Sequence, residues 1–319
     1  MKTEAQVAVI IASYNASKTV ARAVRSALAE AEVAEVILVD DASTDDTAAR
    51  AREADDGSGR LRVLRQAENK GPSAARNLAI RESKSPWIGI LDADDFFLPG
   101  RTAGLLSFAR DADFVADDMW QVPETNVDGP RRVMLGETLH GPRFVDFREF
   151  VLSNVSGGER GRGNDLGFIK PLMRRDFLDA HNLRYQEHMR LGEDYELYAR
   201  ALALGARLNI VPAQGYISVI RPDSLSARHS ETDLLHLRDC DEALRRDLAL
   251  PEEDRAVLRR HYLSVDCRLQ WRLLINAVKS RDAGACLRTF LRPWPVPLYN
   301  MQQLARQAYL RTFRRGGAK

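Results

Sequence analysis

Val7-Ala-Val-Ile-Ile11 is an unbroken apolar run of strand length, the pattern of a parallel strand buried on both faces. Helical spacing follows at once. Val20, Ala23, Val24, Ala27 and Leu28 recur on one face across residues 17–29, with Ser17 placed to cap the helix. The alternation then repeats: Val36-Ile-Leu-Val39 reads as a second buried strand, and Ser43 through Asp46 as a capping box opening a helix to about residue 54. Leu61 to Leu64 makes a third strand, a helix runs from Pro72 to about Ser83 with its proline near the start, and Trp87 to Leu91 makes a fourth strand. This rhythm predicts an α/β fold with a Rossmann-like, doubly wound, mostly parallel sheet flanked by helices. Ligands collect at the carboxyl ends of such strands.

Residues 100–170 are less regular, with a strand candidate at Asp113 to Ala116. The pattern then predicts a helix over 172–180 after Pro171, another from about Asp194 to Leu204, and short strands near 207–211 and 215–220. From about residue 230 charged helical segments take over (233–247 and 252–279), so the expected division is 1–230 and a helical C-terminal extension, 231–319.

The composition, 45% apolar and 29% charged over 319 residues, is that of an ordinary globular chain. Cys240, Cys267 and Cys286 show no metal-ligand spacing and read as small apolar residues in a reducing compartment. Lys2 and Glu4 lead straight into the first strand without an apolar leader, and no run reaches the ~18–20 apolar residues of a spanning helix, so the expectation is a cytoplasmic protein. Charge is unevenly spread. After Asp282 there are seven basic residues (Arg288, Arg292, Arg306, Arg311, Arg314, Arg315 and Lys319) and no acidic one, against +2 for the whole chain. They interleave with Leu287, Phe290, Leu291, Trp294, Tyr309 and Phe313, which suits the headgroup region of an anionic membrane and peripheral attachment at the inner face of the cytoplasmic membrane.

Acidic residues crowd the strand ends. Asp40-Asp41 follows the second strand and Asp92-Ala-Asp94-Asp95 the fourth. Carboxylates converging on one crevice repel unless a cation or donors offset them, and three in four residues exceed what capping needs. Glu193 and Asp194 stand at a helix start, where the macrodipole favours their ionised forms.

Val7-Ala-Val-Ile-Ile-Ala-Ser-Tyr-Asn15, Val39-Asp-Asp-Ala-Ser-Thr-Asp-Asp-Thr47, Gly71-Pro-Ser-Ala-Ala-Arg-Asn77, Leu91-Asp-Ala-Asp-Asp95 and Gly192-Glu-Asp194, in this order, resemble the inverting GT-A glycosyltransferases of family 2. The overall run of residues is similar to glucosyltransferases that extend succinoglycan-type exopolysaccharide repeats. The resemblance implies a GT-A fold with a nucleotide-binding half (1–100) and an acceptor half (101–230). It implies a UDP-sugar donor, a divalent metal (Mn²⁺ or Mg²⁺), and an oligosaccharide acceptor carried on a lipid. In the family's terms the loop after the first strand, Ala12, Tyr14 and Asn15, meets the nucleotide. By the same resemblance Tyr14 is expected to stack on uracil, Asp41 to accept its imide hydrogen with Asp40 as a secondary candidate, and Arg76 to contact the base or diphosphate. Asp94 is expected to bind the metal, with Asp92 or Asp95 reaching the ribose or a metal-bound water. Asp194 is the expected catalytic base, with Glu193 a secondary candidate beside it. Arg221 is expected to close over the diphosphate, with His229 a weaker candidate. Ala12 departs from the family, where proline or threonine is common, which removes a side-chain contact and leaves the backbone.

Other classes fit less well. Ile90-Leu-Asp-Ala-Asp94 resembles a haloacid-dehalogenase-type phosphatase strand, but Phe96 stands where that family has Thr or Val. A non-catalytic binder of sugar nucleotides does not require both Asp94 and Asp194. No Gly-x-Gly-x-x-Gly follows the first strand, against a dehydrogenase. The acidic globular part and the lack of any recognised module argue against a nucleic-acid partner.

Overall fold

β1 (Val7–Ser13) sits between β2 (Val33–Asp40) and β4 (Trp87–Ile90), parallel to both, which is why its aliphatic side chains are buried on either face. The computed structural model describes residues 7–136, 139–155, 165–221 and 230–316. β3 (Leu61–Arg65) pairs parallel with β2 and closes that edge. Helices α1 (Val20–Leu28), α2 (Thr47–Arg52) and α3 (Pro72–Glu82) connect these strands. All four parallel strands therefore deliver their carboxyl ends to one edge.

Beyond β4 the sheet continues with β6 (Phe114–Asp117), β9 (Arg143–Val145), β10 (Leu172–Arg174) and β11 (Leu208–Val211), in the order β3-β2-β1-β4-β10-β6-β11-β9. β10 and β9 run antiparallel to their neighbours, and β6 and β11 are parallel. Leu172–Arg174 lies in the stretch expected as helix over 172–180; the helix there, α6, spans only Arg175–Ala180. The reason is burial. Leu172 and Met173 are wholly enclosed between β4 and β6, and this pairing outweighs the helix-start signal of Pro171. Gly89 makes room for it, since a Cβ there would stand 2.9 Å from Leu172 Cδ2.

Two short strands on either side of α4 (Arg101–Ser107), β5 (Phe96–Phe97) and β7 (Trp120–Pro123), join β8 (Arg132–Val133) and β12 (Tyr216–Ile220) in a second sheet, β5-β12-β7-β8. Its core is Val122, Ile217 and Val219, backed by Phe96, Leu98 and Trp120. α5 (Phe147–Ser153) and α7 (Glu193–Ala203) pack on each other. α7 follows Gly192, whose φ of 75° is left-handed backbone that glycine adopts without a Cβ clash.

Two expected caps are absent. Thr19 precedes α1 without capping it through its side chain, and α2 starts only at Thr47. The residues read as caps tie the two strand-end loops together instead. Ser17 N–H donates to Asp45 Oδ2 (3.1 Å), and Asn15 N–H to Ser43 Oγ (2.9 Å).

The chain divides into Met1–Arg228 and His229–Lys319. In the second unit α9 (Glu252–Ser280) packs against α8 (Glu231–Asp247), α10 (Ala283–Phe290) and α11 (Val296–Gly316). Two of its buried carboxylates are paired: His261 Nδ1 meets Asp241 Oδ2 at 2.7 Å, and Asp266 accepts from Arg238, Gln270 and Arg292. All three cysteines are free thiols. Among the described residues no helix is long and apolar enough to cross a membrane.

Candidate active site

The parallel register Ser13↔Asp40 sets Tyr14, Asn15 and Asp41 side by side at the carboxyl edge. Tyr14 is half exposed (51%), an available aromatic face. Ala12 is still in β1, opposite Val39. Asn15 takes a left-handed φ of 49° and accepts from Thr44 N–H (2.9 Å), so it braces the loop. Asp40 is fully buried, held by Ser43 N–H and Arg65. Asp41 is buried too. Its Oδ1 accepts from Gln66 and Lys70 N–H, and its Oδ2 from Gly71 N–H (2.8 Å). This carboxylate fixes the turn into α3, and with it Arg76.

The acidic element after β4 splits three ways. Asp92 Oδ1 accepts from Arg76 (2.9 Å) and Oδ2 pairs with Lys170 (3.1 Å). Burial raises its carboxyl, but the Lys170 ammonium and Arg76 guanidinium outweigh that and hold it at about 2. Asp95 turns into the small sheet. The antiparallel register Phe96↔Ile217 brings Val219 N–H to its Oδ1 at 2.8 Å, and burial, then Asp94 and Asp92, push its carboxyl well above the usual range. Asp95 thereby pins β12. Asp94 stays a quarter exposed and hydrogen-bonds Arg221, which follows β12 directly. Burial and the Asp92 charge raise the Asp94 carboxyl, with Arg221 offsetting only part. His229 lies outside the described residues.

Arg76 is not a free cation either. It is buried, donating to Asp92 and to Glu193 Oε1 (2.7 Å), 3.6 Å from Asp194 Oδ1, and it lies over the Tyr185 ring. It is a strut between the end of β4 and the start of α7. Lys170, unmarked by any sequence motif, is the second strut. β10 is antiparallel to β4 with Leu172 opposite Gly89, so the residues just before β10 lie at the carboxyl end of β4, beside Asp92. From there Lys170 Nζ reaches Asp194 Oδ2 at 2.6 Å. Burial disfavours its ammonium, but Asp194 and Asp92 carry its pKa above the ordinary lysine value. Tyr185 donates to Asp194 Oδ1 (3.1 Å), and burial and that carboxylate keep it a neutral phenol. The sequence signal for Lys170 was one charge inside the apolar run Phe168-Ile-Lys-Pro-Leu-Met173.

The structure thus brings Asp92, Arg76, Glu193 and Asp194 into one cluster, buried except for the partly exposed Asp92, with the partly exposed Asp94 and Arg221 beside it. Among the described residues no three His, Cys, Asp or Glu could hold a metal unaided. Asp94, raised and incompletely neutralised, fits a cation that completes its shell with phosphate oxygens and water, the usual arrangement for Mg²⁺ and Mn²⁺ on substrate diphosphates.

The model of glycosyl transferase family 2 matches residues 8–161. Succinoglycan biosynthesis protein ExoU of Rhizobium meliloti (strain 1021) is 48% identical over 288 residues, covering 87% of this chain and 80% of that protein. The structure of S. aureus TarS 1-349 in complex with UDP-GlcNAc superposes with a TM-score of 0.62 at 18% identity, over 88% of this chain and 89% of that one. Mannosyltransferase PcManGT from Pyrobaculum calidifontis, in complex with GDP-Man and Mn2+, gives 0.60 at 17%, over 95% and 85%. At these identities the two structures establish the shared fold, the mostly parallel α/β sheet with flanking helices of the GT-A type.

Proposed function

This chain belongs to glycosyl transferase family 2 and is a glycosyltransferase, and from that premise we propose that it moves glucose from UDP-glucose to a lipid-linked oligosaccharide in exopolysaccharide assembly, with inversion. The carrying observation is the pairing of an open, under-neutralised Asp94 with a separately clamped Asp194 across one Lys170–Asp92 link. ExoU's name supports the exopolysaccharide context, and the UDP-GlcNAc complex of TarS supports a uridine donor.

Tyr14 offers its exposed ring to uracil, and Asp41 Oδ2, with a single donor, keeps a lone pair for the imide N–H. Asp94 would hold Mn²⁺ or Mg²⁺, and the cation would neutralise the charge that builds on the leaving group. Arg221, adjacent to Asp94, adds a second positive charge there. The reaction is one displacement. The acceptor oxygen bonds the anomeric carbon as its bond to the UDP oxygen breaks, and the hydroxyl proton passes to the Asp194 carboxylate. Arg76 and Glu193 keep the two ends of the site in register.

The second unit supports docking at the inner face of the cytoplasmic membrane. Leu291 (73%) and Trp294 (68%), in the link between α10 and α11, are largely exposed, as are Leu287, Met301 and Tyr309 on those helices, in a stretch that carries basic side chains and no acids after Asp282.

The test is a donor panel of UDP-, GDP- and dTDP-sugars assayed for nucleotide release with polyprenyl-linked oligosaccharide extracted from membranes, with the product's anomeric configuration read by NMR. Turnover of UDP-glucose to a β-linked product is expected. A preference for GDP- or dTDP-sugars, or retention of the donor configuration, refutes the reading.

A further inference from the structure

Two cations (Arg76, Lys170) and two carboxylates (Glu193, Asp194) are buried in one cluster, and the partly exposed Asp92 pairs with both cations. Such clusters seldom add net stability, because desolvating each ion costs several kcal/mol and apolar side chains of equal volume serve as well or better. A cost of that kind needs an explanation in geometry. Lys170 supplies one. Its ammonium is the only group seen, among the described residues, to touch both the acidic element after β4 and the Asp194 carboxylate at hydrogen-bond distance, 3.1 Å and 2.6 Å.

We propose that Lys170 is a positioning residue: it grips Asp194 Oδ2, fixes the rotamer of this carboxylate, and sets the spacing between this base and Asp92 at the end of β4. The inference rests on the assignment of Asp194 as base. Both carboxylate oxygens are held: Oδ1 by the neutral phenol of Tyr185 at 3.1 Å, Tyr198 Oη at 3.5 Å and Arg76 at 3.6 Å, and Oδ2 by the short ammonium contact. Lys170 is itself held in place. Its carbonyl accepts from Arg101 Nη2 at 2.6 Å, and Arg101 is locked to Asp117, so the ammonium is aimed from a rigid backbone. The acceptor proton therefore meets a carboxylate held in one rotamer, the kind of alignment on which turnover depends steeply.

The experiment compares Lys170→Met, Lys170→Arg and Asp194→Asn in full-length protein, measuring kcat by UDP release and UDP affinity by calorimetry. Lys170→Met is expected to lower kcat by about 100-fold while UDP affinity stays within about threefold. Lys170→Arg is expected to regain about tenfold of that kcat. A Met variant within about fivefold of wild-type kcat, or an Arg variant no better than Met, overturns the inference. Loss of UDP binding together with turnover also overturns it, assigning Lys170 to the donor site alone. If the Met variant does not fold, Lys170→Arg carries the test: kcat above that of Asp194→Asn supports positioning, and kcat equal to it counts against. Wild-type turnover in Asp194→Asn removes the base assignment itself, whereas an inactive Asp194→Asn beside an active Lys170→Met removes only the role of Lys170.

Discussion

The pair Arg101–Asp117 permits a prediction whose sign runs against the usual behaviour of buried ion pairs. Both side chains are fully buried. Arg101 donates to Asp117 Oδ1 through Nε (3.0 Å) and Nη2 (2.8 Å), and stacks over the Phe97 and Tyr216 rings. Asp117 Oδ2 has other duties: it accepts from the backbone N–H groups of Gln214, Gly215 and Tyr216. Arg101→Met strands the anion and should cost about 3–5 kcal/mol. Removing the anion as well, in Arg101→Met with Asp117→Leu, normally restores stability. Here it orphans three amides at about 1–3 kcal/mol each, which equals or exceeds the relief. The double variant should therefore be no more stable than Arg101→Met. Urea unfolding followed by near-UV circular dichroism gives both values from midpoints at constant slope. Recovery of the double variant to within about 1 kcal/mol of wild type would refute the reasoning.

Three further outcomes follow from single residues. Asp118 is buried, and burial with the nearby Asp117 raises its carboxyl to about 6 despite backbone donors from Leu135, Met134 and Met119. The folded state thus binds this proton more tightly than the unfolded chain, so its contribution is full below about pH 4 and is lost as pH rises to about 6, by up to about 3 kcal/mol. Asp118→Asn should flatten that window in pH-dependent urea titrations; an unchanged slope counts against it. Tyr14→Ala should weaken UDP binding by about 1–3 kcal/mol, roughly 5- to 150-fold, at unchanged melting temperature; equal affinity would dismiss the stacking role. Replacing Leu287, Leu291 and Trp294 together by Ser should cut co-sedimentation with anionic phospholipid vesicles by about tenfold or more, since each buried side chain is worth about 1.5–3 kcal/mol; unchanged binding rules the tail out as the anchor.

The first hundred residues were legible because a strand buried on both faces has nowhere to put a polar side chain. Val7–Ile11, Val36–Val39 and Trp87–Ile90 announce themselves for that reason, and their shared direction gathers Tyr14, Asp41 and Asp92. β10 was not legible. Three residues are too few for periodicity, and its antiparallel insertion depends on partners more than fifty residues away. Local capping signals misled around Ser17 and Ser43 because the same short polar side chains can bond across loops as well as along a helix. Within Asp92-Ala-Asp94-Asp95 the pattern could not separate the oxygens that face outward from the one claimed by Val219 N–H, which is fixed by strand pairing across 124 residues. Lys170 and Arg76 belong to the same class. Their partners are distant in sequence, so a lysine between Ile169 and Pro171 showed its importance only as an isolated charge in an apolar run.

The central claim, a uridine donor site completed by a divalent cation on Asp94, meets its most direct test in calorimetric titration of UDP with and without Mn²⁺, on wild type and on Asp94→Ala. The account predicts binding that strengthens at least about tenfold with Mn²⁺ in the wild type and loses that dependence in Asp94→Ala. No UDP binding under either condition, or metal-dependent binding that survives Asp94→Ala unchanged, would contradict it.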